Sequence, residues 1–133
     1  MSAAPTTLMI CVTCHDGESP AAERPGAQLH RQMESALAQR NDIQLKAVEC
    51  MSVCKRACTI AVSAPGKWTY VIGDLDPAAD MDALSDYLDA YARDPNGTPP
   101  LKQRPAAIRS GTIARIPPTA IPPLTHKEPH AAS

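Results

Sequence analysis

Five cysteines stand in two tight groups: Cys11 and Cys14 near the start, then Cys50, Cys54 and Cys58. Thiolate is the ligand that zinc and iron-sulfur centres favour, so the two groups form one metal site if the fold brings them together. Three chemistries use residues of this kind. A redox dithiol at Cys11-Val12-Thr13-Cys14 needs its attacking thiol at a helix N-terminus. The polar stretch from His15 to Arg24 separates Cys14 from the first helical pattern, and the three later cysteines would stand idle. A structural zinc ion needs four ligands in a tetrahedron, and any four of the five thiols meet that count. A 2Fe-2S cluster needs two thiolates on each iron. Cys11 and Cys14 on one segment and Cys50 and Cys54 on the other supply that division. The cluster uses the residues best, with zinc as the alternative. Cys58 then reads as a buried apolar residue at the start of a strand, and as the substitute ligand.

The elements that must position these thiols are legible in the apolar pattern. Thr7 to Thr13 is a β-branched and apolar run that delivers Cys11 to the end of a strand. Leu29, Met33, Ala36 and Leu37 recur at helical spacing between about Gly26 and Arg40. Ile43, Leu45 and Ala47 then alternate with Gln44, Lys46 and Val48, a second strand that runs into Cys50. Thr59 to Ser63 and Lys67 to Ile72 are strands joined by the turn Ala64-Pro65-Gly66, hence antiparallel neighbours. Asp76-Pro77 reads as the start of a second helix that carries Met81, Leu84 and Leu88 to about Arg93, with Asp80, Asp82, Asp86 and Asp89 on its outer side.

The order β-α-β, then β-β-α, is the layout of a thioredoxin-like α/β fold, a mixed four-stranded sheet with helices packed on it. A right-handed βαβ unit makes the first two strands parallel. Their ends, and so both cysteine groups, leave the sheet at one edge.

The chain has 133 residues, enough for one domain and a tail. Residues 1–94 hold 8 Lys and Arg against 13 Asp and Glu, a balance of −5, while residues 95–133 hold 5 against 1, a balance of +4. Nine of the 14 prolines also fall in residues 95–133. The expected division is a cluster-binding domain over 1–94 and an extended basic tail over 95–133. That tail is partly packed on the domain, with a short strand at Thr112 to Ile116, and is disordered at its end. With no Phe, one Trp and three Tyr, the core is expected to rest on Leu, Ile, Val, Met and Ala.

Nothing in the N-terminal residues reads as a signal peptide and no run is long enough to span a membrane, so the expected location is the cytoplasm. In that reducing compartment clustered cysteines bind metals or react rather than form structural disulfides. The acidic body excludes a nucleic-acid surface. No phosphate-binding glycine loop and no nucleophile-base pair is present, which argues against an enzyme.

The stretch Glu49-Cys50-Met51-Ser52-Val53-Cys54-Lys55-Arg56-Ala57-Cys58-Thr59-Ile60-Ala61-Val62 resembles the second half of the site in thioredoxin-like 2Fe-2S ferredoxins. With the Cys11 to Cys14 pair and Lys67-Trp68-Thr69-Tyr70-Val71-Ile72-Gly73-Asp74-Leu75-Asp76, it is similar to a family of small predicted metal-binding proteins of that class, over roughly residues 7 to 118. The resemblance implies an electron carrier with redox partner proteins, a homodimer, and, from the gene neighbourhood of some members, a link to cobalamin synthesis and cobalt reduction. It also departs from the class. The better-known ferredoxins have a longer spacer between their first two cysteines and a Gly-Pro near Ala57-Cys58.

Three neighbours of the thiols carry secondary readings. His15 is an exposed loop residue or a nitrogen ligand. Lys55 and Arg56 are solvated charges, or a positive patch that favours the reduced cluster and docks an acidic partner.

Overall fold

The computed structural model describes residues 5–12, 24–49 and 58–118. Along the chain run β1 (Thr6–Cys11), α1 (Pro25–Ala36), β2 (Ile43–Val48), β3 (Ile60–Ser63), β4 (Thr69–Ile72), α2 (Met81–Arg93), a 3-10 turn (Leu101–Gln103), α3 (Ala106–Gly111) and β5 (Thr112–Ile116). The strands form one mixed sheet in the order β2-β1-β3-β4-β5. β1 and β2 are parallel, and every other neighbouring pair is antiparallel. The sheet therefore has five strands where four were expected. Its fifth is the short strand read at Thr112 to Ile116, which pairs along β4 through a bulge at Val71/Ile72.

Strand alternation decides which face is covered. Leu8 lies opposite Val62, and Val62 opposite Tyr70; Ile10, Ile60 and Ile72 form a second such row. All six are fully buried in one cluster with Leu29 and Met33 of α1, Leu84, Tyr87, Leu88 and Tyr91 of α2, and Ile108 of α3. Arg40, just past α1, reaches Asp89 of α2 at 2.8 Å, so the two long helices lie side by side on that face.

Several local expectations change. α1 ends at Ala36 rather than Arg40, and Ala36 itself is exposed while Leu29, Met33 and Leu37 are buried. Pro25 opens α1, where its missing N–H costs nothing. α2 begins at Met81 rather than at Asp76-Pro77. The Asp76 carboxylate accepts from the Ala78 N–H at 2.8 Å, and the Asp80 carboxylate accepts from the Asp76 N–H at 2.8 Å, a self-contained turn that holds the chain out of the helix.

The core also differs from the expected aliphatic one. Tyr70, Tyr87 and Tyr91 are its largest fully buried side chains and meet as an aromatic trio with centroids 5.9 to 6.5 Å apart. In a chain without Phe, tyrosine supplies the aromatic volume.

Between α2 and β5 the chain is not wholly extended. α3 has six residues, too few to print a 3.6-residue period, and the 3-10 turn before it has three. Arginines of this basic stretch rest on aromatic rings of the body: Arg115 lies 4.7 Å from the Trp68 ring centroid and Arg104 6.0 Å from that of Tyr70. No helix among the described residues is long and apolar enough to cross a membrane.

Candidate metal centre

The parallel β1/β2 pair sets Cys11 directly opposite Val48, two residues before Cys50. Val12 N–H donates to the Val48 carbonyl at 2.9 Å, so the two strands stay joined to their last residues. Cys11 is 1% exposed, and its thiol donates to the Glu49 carbonyl at 3.6 Å. The first cysteine is thus in contact with the backbone that leads into the second group. β3 starts at the same edge, where Cys11 N–H donates to Thr59 O at 3.1 Å, and β4 ends there.

Cys58 lies at this edge too. It is fully buried within the core cluster, and its main chain exchanges both hydrogen bonds with Leu75, at 3.1 and 3.2 Å. Cys14, Cys50 and Cys54 lie outside the described residues, as do His15, Lys55 and Arg56. Among the described residues no three His, Cys, Asp or Glu side chains gather as a metal site.

Two features that sequence reasoning missed bear on what this edge holds. Gly26, in the first turn of α1, has no room for a side chain: a Cβ there would overlap the Cys11 carbonyl oxygen. The helix start is therefore pressed against the end of β1. The first-turn N–H groups of a helix lack intrahelical acceptors, and the dipole makes that end positive. The first turn of α1 carries no acidic residue to neutralise it. Anionic sulfur gathered beside Cys11 would meet a complementary field.

The second feature is Arg24, which flanks that helix start. Its Nε is buried and has no hydrogen-bond partner. A buried donor without an acceptor asks for one, and cluster or thiolate sulfur is an acceptor of the right charge. The donor set, the close-packed helix start and the orphaned donor fit a thiolate-bound 2Fe-2S group. Pro25-Gly26 was the available signal, a proline that opens a helix followed by a residue without a side chain.

Comparison with known proteins agrees with the architecture. The sequence profile of a family described as "Protein of unknown function (DUF1636)" matches residues 8–118. No curated protein matches the chain. Among solved structures, a thioredoxin-like 2Fe-2S ferredoxin from Aquifex aeolicus is similar at 15% identity and a TM-score of 0.57, over 90% of this chain and 99% of that one. Another structure of the wild-type Aquifex aeolicus ferredoxin gives 14% and 0.54, over 84% and 99%. A cysteine-to-serine variant from the same organism gives 13% and 0.53, over 82% and 98%. At these identities the likeness is one of fold, and the fold expected from the element order is the one observed.

Proposed function

The chain belongs to the family described as a protein of unknown function (DUF1636), and from its own residues we propose that it is a one-electron carrier built around a 2Fe-2S cluster. The ligands are Cys11, Cys14, Cys50 and Cys54, with Cys58 in reserve. When bound, the cluster supplies the redox chemistry, taking up and releasing one electron. The observation that carries this reading is the register that lays Cys11 against Val48 and its thiol on Glu49, because it sets the first thiol beside the residue from which the chain runs on to Cys50. The similar fold of ferredoxins named for such a cluster supports it.

The chain's own part is to hold and tune. β1 and β2 hold Cys11 beside Glu49, the residue before Cys50. The start of α1 would set positive potential beside the thiolates, and the unpartnered Arg24 Nε–H at that helix start would be available as a donor to sulfur. Such hydrogen bonds and dipoles stabilise the more negative, reduced state and raise the reduction potential. Delivery of the electron to a redox partner, in the narrower form to a metal or cobalt centre of corrinoid metabolism, is the use implied by the family resemblance.

Anaerobic purification tests the reading. The full chain should be red-brown, hold about two irons and two sulfides, bleach with dithionite and give the electron paramagnetic resonance signal of a reduced 2Fe-2S centre. Colourless protein with stoichiometric zinc overturns it. The ligand set is tested separately: Cys54→Ser should lose the cluster and Cys58→Ser keep it, and the reverse pattern would reassign the fourth ligand.

A further inference from the structure

Residues 95–118 carry four cations, Lys102, Arg104, Arg109 and Arg115, and no Asp or Glu. None of the four is in an ion pair with a described residue. Arg104 and Arg115 lie on the body, over the rings of Tyr70 and Trp68. Lys102 and Arg109 are exposed instead, and with Pro100 and Leu101 they line an open groove of about 610 Å³.

The groove has an apolar centre. Leu101 is 61% exposed, one of two large apolar side chains so exposed among the described residues. A lone exposed leucine needs no explanation, but one set in a groove beside two unpaired cations has the anatomy of an interface, an apolar middle with a charged rim. The Arg109 guanidinium is also held in place, because its Nη1 donates to the Arg104 carbonyl at 2.6 Å. Its other N–H groups form a fixed fork, so less freedom is lost when a carboxylate pairs with them.

This groove stands beside the thiol edge. Cys11 N–H donates to Thr59 O, and the pairing of Ile60 with Ile72 sets Gly73 in the same row across the sheet. Two strand spacings, about 10 Å, separate Cys11 from Gly73. Gly73 N–H in turn donates to Gly111 O at 2.8 Å, and a Cβ on Gly111 would overlap the Gly73 carbonyl oxygen. Arg109 is two residues before Gly111 in α3, so a molecule seated on it is brought to the edge that holds Cys11.

The charge of the occupant follows from the lining. Residues 1–94 carry a balance of −5, and two outward cations on such a chain are too few for a nucleic-acid backbone, which is held by many phosphate contacts. They suit a few carboxylates around an apolar side chain. Given the electron-carrier reading, on which this rests, we propose that the groove is the docking surface for an acidic one-electron partner protein, with carboxylates of the partner on Lys102 and Arg109 and an apolar side chain on Leu101. The partner's oxidised centre takes one electron from the reduced cluster, and no proton moves and no bond forms or breaks.

Two probe acceptors of opposite charge provide the test: plastocyanin, an acidic blue-copper protein, and cytochrome c, a basic haem protein. The full-length protein, purified anaerobically and reduced, is mixed with each by stopped flow, and bleaching of the copper band or the rise of ferrous haem gives the rate. The rate with plastocyanin should fall about tenfold between about 0.01 M and about 0.3 M salt. The chain's own charge is −1, so attraction to an acidic protein requires a local positive patch. Lys102→Glu should slow plastocyanin at low salt by about tenfold and leave cytochrome c no slower. Arg93→Glu, an equal charge change at an exposed residue in the last turn of α2, should stay within about twofold. Leu101→Ser should slow plastocyanin several-fold even at high salt, where the charges are screened. A plastocyanin rate that rises with salt overturns the site, as does a Lys102→Glu effect that is absent or no larger than that of Arg93→Glu. Self-association of the wild type that Lys102→Glu abolishes would assign the groove to a second copy and overturn it too. Protein without a 2Fe-2S cluster, seen from its iron and visible absorption before any acceptor is added, overturns the electron-carrier reading itself.

Discussion

The two ends of the sheet are held by different means. At the end where β1 and β2 finish, the described contacts between segments are mostly main chain to main chain: Cys11 to Thr59, both bonds of Cys58 with Leu75, and Gly73 N–H to Gly111 O at 2.8 Å. At the opposite end, side chains tie different elements together. Lys67 Nζ donates to Tyr91 O and Ala92 O at 3.1 and 3.2 Å, closing the last turn of α2. The Tyr91 hydroxyl donates to Trp68 O at 2.5 Å, and Arg115 covers the Trp68 ring. The far end is finished by its own side chains. The near end sets the buried Cys11 thiol on the Glu49 carbonyl, and on the proposed reading metal binding there would also be folding free energy.

The largest expected effect comes from breaking the near end alone. Cys11→Ala should reduce bound iron and visible absorption to less than about a tenth of wild type, because alanine offers iron no ligand. Hydrogen exchange should then separate the ends. Amides of Val12, Cys58 and Leu75 should exchange faster by about tenfold or more, while those of Trp68 and Asp94 stay protected. Uniform loss of protection would show that the ends are not independent. Next in size is Gly26→Ala, which puts a methyl group into the Cys11 carbonyl. Helix and strand must part by about 1 Å or more, at a cost of about 2–3 kcal/mol by thermal or denaturant unfolding, with lower cluster content. An unchanged midpoint would mean that α1 is not pressed on β1.

The far end responds differently. Tyr91→Phe removes the donor to Trp68 O and leaves that carbonyl bare, at about 1–2 kcal/mol, without loss of iron. Burial raises the Tyr91 hydroxyl well above its ordinary value, with the neighbouring Tyr70 adding to the shift, so it donates at any working pH and its loss should be pH-independent. A cluster that falls with Tyr91→Phe would join the two ends energetically.

How much of this was legible in the sequence depends on the range of the interaction. The strands that carry Cys11 toward Thr59 and Val48 toward Cys50 are readable because alternation and β-branching are local, and the parallel register follows from the handedness of one βαβ unit. The hairpin at Ala64-Pro65-Gly66 and the strand at Thr112 to Ile116 are readable for the same reason. The sequence places the start of α2 four residues early, since Asp76-Pro77 looks like a helix start and only the cross-bonding of Asp76 and Asp80 shows it to be a turn. The press of Gly26 on Cys11 and the gathering of Tyr70, Tyr87 and Arg104 join residues far apart in the chain. No spacing announces them. The proposed ligand set comes from thiol count and spacing.

The smallest effect concerns Arg40, which belongs to neither end. It bridges Asp42 at 2.7 Å and Asp89 at 2.8 Å, and so ties the start of β2 to the middle of α2. Asp42 and Asp89 are exposed, at 53% and 47%, and Arg40 partly so, at 29%, so solvent screens the pairs and Arg40→Ala should cost only about 0.5 kcal/mol in dilute salt, and less at 1 M. The pH dependence has a defined sign. The hydrogen bond from Arg40 holds the Asp42 carboxyl below its ordinary value. Its contribution is therefore complete above the pKa of the unfolded carboxyl, near 4, and fades as pH falls through the lower folded value. Unfolding curves of wild type and Arg40→Ala should stay parallel from neutral pH to about pH 5 and converge in acid. A gap that widens in acid would mean that the arginine acts through something other than Asp42. A loss above about 2 kcal/mol would mean that the link between β2 and α2 holds the two helices in place.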